Sequence, residues 1–461
     1  MEYDITQPGD LSLSPGEARN PGRRHRDVLT TESSANDPGL TAESYEFLGD
    51  EDVPYSRYTS QAFYDQEIEH LWSRTWQWAC RQEHIPEAGD YSVYDVGPYS
   101  ALVIRGEDLK IRAFVNSCPH RGMQFADAGS SGTGKQFIRC PFHGMSWDLQ
   151  GGLREIPCRW DFPHVKDEDF GLMELPCDTW AGFVFVNFDV NAAPLADQLD
   201  CLPEHFKNWG LENRYVAIHT SKVLPGNWKM CMEAFLEAYH VLATHRGNRK
   251  QGGAGWANAQ YDIFGKYVTR FIHGPTGQEG QSEDEIFAQM GSMFGDMFGN
   301  ETEDLRPGMT AREQLSETLR AKEGAALGVD LSSTPASIML DSIEYHLFPN
   351  ACFFPGIRIP LVYRFRPLGL DRCLHEILIM KPAPDAGETP PPAPVVHLDM
   401  ETSYTTVDGF FLGEVLDEDT ENFHRQWAGM NAAFKAGQTL GNYQEVRIRR
   451  FHKTLLEYLP A

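Results

Sequence analysis

The sequence predicts an α+β protein in two main parts, a small antiparallel β domain followed by a larger mixed domain. Three observations carry this. Residues 90–190 hold short β-rich runs separated by turn signals. The pattern becomes helical from about residue 222. Strand-like runs then return at 343–382, before helical segments near the end. The 461 residues suffice for two or three domains.

Residues 1–45 are rich in Pro, Gly, Ser and charge and read as an extended or mobile arm. Over 60–78, Phe63, Ile68, Leu71, Trp72 and Trp76 recur at roughly helical spacing with Asp65, Glu67 and Glu69 between them, the pattern of an amphipathic helix. The β runs lie at 91–96, 101–105, 111–116 and 182–188, parted by turns such as Gly106-Glu-Asp and Gly151-Gly152. Residues 228–245 read as one helix. Residues 250–340, rich in Gly, Met and charge, offer little core and suit a substrate-entry region with helical pieces such as 311–323. Strands are expected at 343–348, 357–365 and 373–380, then a proline-rich spacer over 382–394, then helical segments from about Asp399 and Glu418.

Hydrophobic residues make up 41% and charged residues 23%, as in an ordinary globular protein. No apolar run approaches the ~20 residues of a membrane helix, and the first residues lack the basic patch and apolar stretch of a secretory signal. A cytoplasmic protein without membrane contact is expected. A formal net charge of −26 repels phosphates and argues against nucleic-acid binding. The nine cysteines are odd in number and irregularly spaced, against a disulfide framework and for a reducing compartment.

Only Cys118 and Cys140 sit beside histidines in a repeated pattern: Cys118-Pro-His120-Arg-Gly-Met and Cys140-Pro-Phe-His143-Gly-Met. Two thiolates and two imidazoles can bind one tetrahedral zinc. They can also hold a Rieske [2Fe–2S] cluster, with the cysteines on one iron and the histidines on the other. The tight Cys-x-His pair, the Pro after each Cys and the Gly near each His favour two rigid loops whose N–H groups point at sulfur.

A second constellation follows in Asn227-Trp-Lys-Met-Cys-Met-Glu-Ala-Phe-Leu-Glu237-Ala-Tyr-His240-Val-Leu-Ala-Thr-His245. On an ideal helix His240 and His245 stand ~140° apart, so one metal can meet both only if the helix ends, bends or bulges there. Two histidines and a carboxylate are the usual cradle of an O₂-activating Fe(II). A downstream acidic segment, Asp417-Glu418-Asp419-Thr-Glu421, offers several candidate carboxylates. A plain helix-start acidic cluster would look the same.

Both constellations resemble those of the Rieske non-haem iron ring-hydroxylating oxygenases, in the large, catalytic α subunit, over roughly 55–455. Met123 and Met145 stand where respiratory Rieske proteins carry extra cysteines, and Ala234 stands where many oxygenases have Asn. The resemblance implies a [2Fe–2S] cluster on Cys118, His120, Cys140 and His143, and a mononuclear Fe(II) on His240, His245 and Asp419. Glu237 takes the place of an acid, usually Asp, that bridges an iron-bound histidine to a cluster histidine of the neighbouring subunit, here His143. The expected domains are the arm (1–45), an N-terminal helical segment (46–85), the Rieske domain (86–190) and the catalytic iron domain (191–461), a helix-wrapped antiparallel sheet of the Bet v 1-like kind. The implied function is a terminal oxygenase that hydroxylates or cis-dihydroxylates a hydrophobic aromatic or alicyclic substrate, with Phe235, Phe353-Phe354 and the 290–297 Met-rich run as candidate cavity residues. No Gly-rich nucleotide motif is evident, so electrons are expected from a separate ferredoxin or reductase. The assembly is expected to be a homotrimer, possibly with a small β subunit. The alternatives are an O- or N-dealkylating Rieske monooxygenase, a Rieske electron carrier without oxygenase chemistry, and a zinc-stabilised binding module.

Overall fold

The computed structural model describes residues 12–19, 23–29, 37–245, 259–277, 280–293 and 304–460. It has two compact units, Tyr64–Gln198 with Tyr458–Ala461, and Met1–Phe63 with Leu199–Glu457. The expected 46–85 segment is thus divided between them. Among the described residues no helix is long and apolar enough to cross a membrane.

In the smaller unit, short β-rich runs build a five-stranded antiparallel sheet in the order Glu174–Leu175, Ile111–Val115, Tyr99–Arg105, Tyr91–Val96 and Ser131–Gly132. The last strand belongs to the 129–135 segment between the two Cys/His loops. A second, three-stranded sheet (Ile138–Arg139, Ser146–Trp147, Leu153–Glu155) leads into and out of the Cys140 loop. Leu102, Phe114, Ile138 and Trp147 are buried with Cys118 and Cys140 in one core, so both cysteines sit on a packed base.

The 60–78 expectation needs correction. Helix Gln61–Gln66 widens into a π-helical stretch, Glu67–Trp72, and stops; Gln77–Arg81 is a strand. All five residues of that strand are buried. It therefore lacks the in–out alternation that marks a half-exposed strand, and Trp72 and Trp76 just ahead of it kept up the helical spacing.

The larger unit is an eight-stranded sheet in the order Gln260–Phe264, Val268–His273, Ser342–Leu347, Ala351–Phe353, Leu361–Gly369, Arg372–Pro382, Arg214–Pro225 and Val395–Leu398. Every pairing is antiparallel except the last. Helices Trp228–Glu233, Phe423–Ala432 and Val446–Leu456 pack on it. Two strands at 260–273 fall inside the stretch read as poor core. Their cross-strand pair is ionic, Asp262 opposite Arg270, fully buried at 2.7 Å, which made the segment look like surface. Parts of the expected arm, within 25–29 and 37–42, are packed as well, while residues 12–19 are mostly exposed. Val28, Leu29 and Leu40 are buried, His25 lies 3.1 Å from Asp341, and Arg270 donates to the Gly39 and Ala42 carbonyls.

The expected 228–245 helix is broken. It starts where the Asn227 side chain accepts from Lys229 N–H, runs only to Glu233, and resumes as Val241–Thr244. Gly226 makes the strand-to-helix turn at φ +121°, where a Cβ would collide with Met230. The break persists because its backbone groups find other partners, two of them from outside the segment. Arg447 donates to the Leu236 carbonyl at 3.1 Å, Tyr261 OH accepts from Ala238 N–H at 3.1 Å, and the Glu237 carboxylate accepts from His240 N–H at 2.9 Å. Arg447 also pairs with buried Glu344 at 2.7 Å.

Replacing Arg447 by Met leaves Glu344 buried without its cation and the Leu236 carbonyl without its donor. Denaturant unfolding should show a loss of about 3–5 kcal/mol, as for other broken buried pairs. Arg447→Met with Glu344→Leu should recover part of it.

Candidate functional site

The two Cys/His loops have the same backbone. Cys118 N–H donates to the Met123 carbonyl (2.8 Å) and Gly122 N–H to the Cys118 carbonyl (2.8 Å); Cys140 N–H donates to Met145 (2.9 Å) and Gly144 N–H to Cys140 (3.1 Å). Gly122 and Gly144, each fourth after its cysteine, turn at φ +76° and +78°, a conformation open to glycine at little cost. The histidine sits at the second position of one loop and the third of the other. The structure brings the two imidazoles together, ring centroids 4.7 Å apart, with His143 exposed and His120 half-buried. Burial pushes the Cys118 thiol up; the N–H groups of His120 and Arg121 pull it back, while the adjacent Cys140 thiol raises it further. Burial, then His143 and Arg121, lower the pKa of His120, which favours its neutral imidazole.

Among the described residues, His240, His245 and Asp419 bring three donor atoms within 4.8 Å of one another. The Cys/His loops do not gather three so tightly. A wider cradle of two buried thiols and two outward imidazoles fits a two-iron cluster better than one zinc.

His240 is placed by the broken helix, His245 by the end of the short helix after it, and Asp419 by helix Gly413–Thr420. Asp419 Oδ1 lies 3.3 Å from His240 Nε2 and 3.2 Å from His245 Nε2, yet is buried without a hydrogen bond. Its lone pairs converge with the two imidazole nitrogens on a shared point, an arrangement that suits a cation. The far sides of both rings are occupied: Glu237 accepts from His240 Nδ1 at 2.8 Å and Glu418 from His245 Nδ1 at 3.0 Å. Each Nε2 is thereby the nitrogen turned toward the shared point, where a metal ion would displace its proton. Burial opposes charging His240, but Asp419 and Glu237 outweigh it and push its pKa up to about 10. So negative a field favours a divalent ion. The donor set therefore fits Fe(II).

Sequence reasoning singled out every one of these ligand candidates but not the Glu418 contact, which spans 173 residues. A cavity of about 490 Å³ opens at the same place, lined by Glu233, Glu237, His240, Asp419, Phe423 and Glu445, among others. Behind its wall, Phe235 packs against Phe365 (5.3 Å), Tyr363 and His375 (both 5.4 Å). Burial pushes the pKa of His375 down to about 3, so this aromatic cluster is uncharged there. Of the other candidates, Phe354 packs on Tyr363 (5.8 Å), Phe353 is fully buried in its strand, and Met290 is buried in a separate helical cluster. Residues 294–297 of the Met-rich run lie outside the described residues.

Comparison with known proteins agrees with this geometry. Residues 75–166 match the Rieske [2Fe-2S] domain, and residues 205–461 match the ring hydroxylating alpha subunit catalytic domain. The chain is 28% identical over 315 residues to the large oxygenase component of a 2,4-dinitrotoluene dioxygenase system from a Burkholderia strain, covering 66% of each. It is 29% identical over 203 residues to the carnitine monooxygenase oxygenase subunit of Escherichia coli K12, covering 42% of this chain and 52% of that one. It thus spans about half to two thirds of the length of these relatives. A naphthalene 1,2-dioxygenase from Rhodococcus sp. shares the fold, with a TM-score of 0.61 and 20% identity over 88% of this chain and 94% of that one. With a Rieske [2Fe–2S] domain ahead of a catalytic domain whose family binds mononuclear iron, the chain belongs to the ring hydroxylating alpha subunits of the Rieske oxygenases.

Proposed function

We propose that this chain is the catalytic subunit of a terminal oxygenase that hydroxylates a hydrophobic aromatic or alicyclic substrate. Cys118, His120, Cys140 and His143 hold the cluster in this reading; His240, His245 and Asp419 hold the iron. The observation that carries it is the convergence of three donors with the far side of each imidazole already engaged. When bound, the two centres supply single electrons and the activation of O₂. The protein's own part is orientation and exclusion. Glu237 fixes the His240 ring through two bonds, one to its backbone and one to Nδ1. The apolar part of the lining, Ala234, Phe423, Leu440 and Ile448, favours an apolar guest, and the rings of Phe235, Phe365 and His375 pack behind that wall.

Electrons come from a separate ferredoxin or reductase in this reading. The working form is a head-to-tail homotrimer, with or without a small β subunit, because a heterologous contact that closes gives every iron a neighbour's cluster. The exposed His143 and the acidic cup around Glu237 support that arrangement. A second reading, removal of an O- or N-alkyl group, rests on one observation. Glu233, Glu237, Asp419 and Glu445 give the cavity a negative lining that suits a cationic amine, and one relative is a carnitine monooxygenase. Turnover with a reductase system against ring hydrocarbons and quaternary amines separates the two.

Cys118→Ser or Cys140→Ser should abolish the red-brown colour and the acid-labile sulfide. Colourless wild-type protein with stoichiometric zinc would sink the proposal. His240→Ala, His245→Ala or Asp419→Ala should remove the third iron and all oxygenation with the cluster spectrum intact. Glu237→Gln should keep both metals and slow cluster-to-iron electron transfer in stopped-flow reduction. Mixing Cys118→Ser chains with His240→Ala chains should restore some turnover if transfer runs between subunits.

The cup also has a pH signature. Burial, with Glu237 and Glu233 as like charges, raises Glu445 to about 7. A raised carboxylate favours the fold below its unfolded pKa and loses that contribution as pH climbs through about 7. Glu445→Gln should therefore match wild type at pH 4 and exceed it by about 1–2 kcal/mol at pH 8 in denaturant titrations.

A further inference from the structure

The two imidazoles at the iron site are held in unlike ways. His240 is fixed locally, by a glutamate three residues earlier that binds both its N–H and its Nδ1. Among the described residues, none next to His245 in the chain clamps it in this way. It follows a four-residue helix, with extended backbone at φ −84° and ψ 98°, and residues 246–258 after it lie outside the described residues. Its Nδ1 meets Glu418, while its Nε2 faces Asp419. Consecutive residues of one helix therefore grip both edges of the same ring.

We propose that Glu418 is a positioning residue for the iron site, fixing the tautomer and orientation of His245 from outside its own segment; this rests on the function proposed above. The three acids in a row then have separate tasks. Asp417 points elsewhere, accepting from Tyr404 N–H at 3.0 Å and from the Ser403 hydroxyl. Glu418 accepts the Nδ1 proton of His245. Asp419 turns to the shared point with its unpartnered oxygen. Successive helical residues diverge by ~100°, so a single turn serves an anchoring loop, an imidazole and a metal. Carboxylates behind metal-bound histidines raise ligand basicity and lock the ring, and their loss typically weakens metal binding about 10–100-fold. Because His240 keeps its own clamp, loss of Glu418 should weaken metal affinity while leaving the Glu237 contact in place.

The test uses full-length, cluster-loaded protein stripped of mononuclear iron and titrated with Co(II), read by equilibrium dialysis and by high-spin Co(II) EPR. Wild type should take one Co(II) beyond the cluster iron. Glu418→Ala should bind it about 10–100-fold more weakly, with a broadened EPR signal and unchanged cluster absorbance. Glu418→Gln, whose amide oxygen still accepts the Nδ1 proton, should recover most of the affinity. Glu418→Asp, which keeps the charge but is one methylene short of the contact, should not. The thermal midpoint of the metal-free variants should stay at the wild-type value, which a merely structural role would move. Wild-type Co(II) affinity in Glu418→Ala overturns the assignment, as does Glu418→Gln binding no better than Glu418→Ala. If Glu418→Ala does not fold, the Gln and Asp variants decide alone, and equal affinity in those two overturns it. A wild-type chain that takes up no Co(II) overturns the iron site itself, and Glu418's role with it.

Discussion

The hydrogen bond from Arg447 to the Leu236 carbonyl is the constraint on which the iron site rests. An uninterrupted helix through 228–245 would satisfy its own backbone and point His240 and His245 in different directions. Opening it exposes carbonyl and N–H groups that need partners in a buried setting. Arg447, Tyr261 and Glu237 supply them, and each comes from a different part of the chain. Glu344, Thr269 and Tyr363 in turn keep the guanidinium in place. Ligand geometry is thus a property of the sheet and the last long helix as much as of the ligand segment.

Much of this was legible in the sequence where the chemistry is local. The Cys/His loops, the Glu237–His240 pair and the acidic run at 417–421 each lie within a few residues, so their spacing carries their meaning. The small β domain was readable for the same reason: Tyr91–Val96 and Ile111–Val115 are short β-rich runs bounded by turns. The His240–His245 spacing even posed the right geometric question, since it demands a helix that stops or bends.

What could not be read depends on contacts far apart in the chain. Nothing near residue 236 announces that Arg447 will hold its carbonyl, and nothing near His245 announces Glu418. The strand Arg214–Pro225 and the 260–273 hairpin were missed because their partners are ionic or distant. Asp262 with Arg270, and His219 with Glu376 (2.9 Å), place charge inside a sheet, where patterns of apolar residues are silent.

The distance along the chain between ligands also sets an order of assembly. Both cysteine loops, and the two sheets that frame them, are complete once residue 175 has been made. The mononuclear site has no third donor until Asp419, and the ligand segment has no fixed break until Arg447 docks. During synthesis the cluster ligands are therefore in place some 240 residues before the third iron ligand exists, and the iron site is complete only once residues 419 and 447 have both been made.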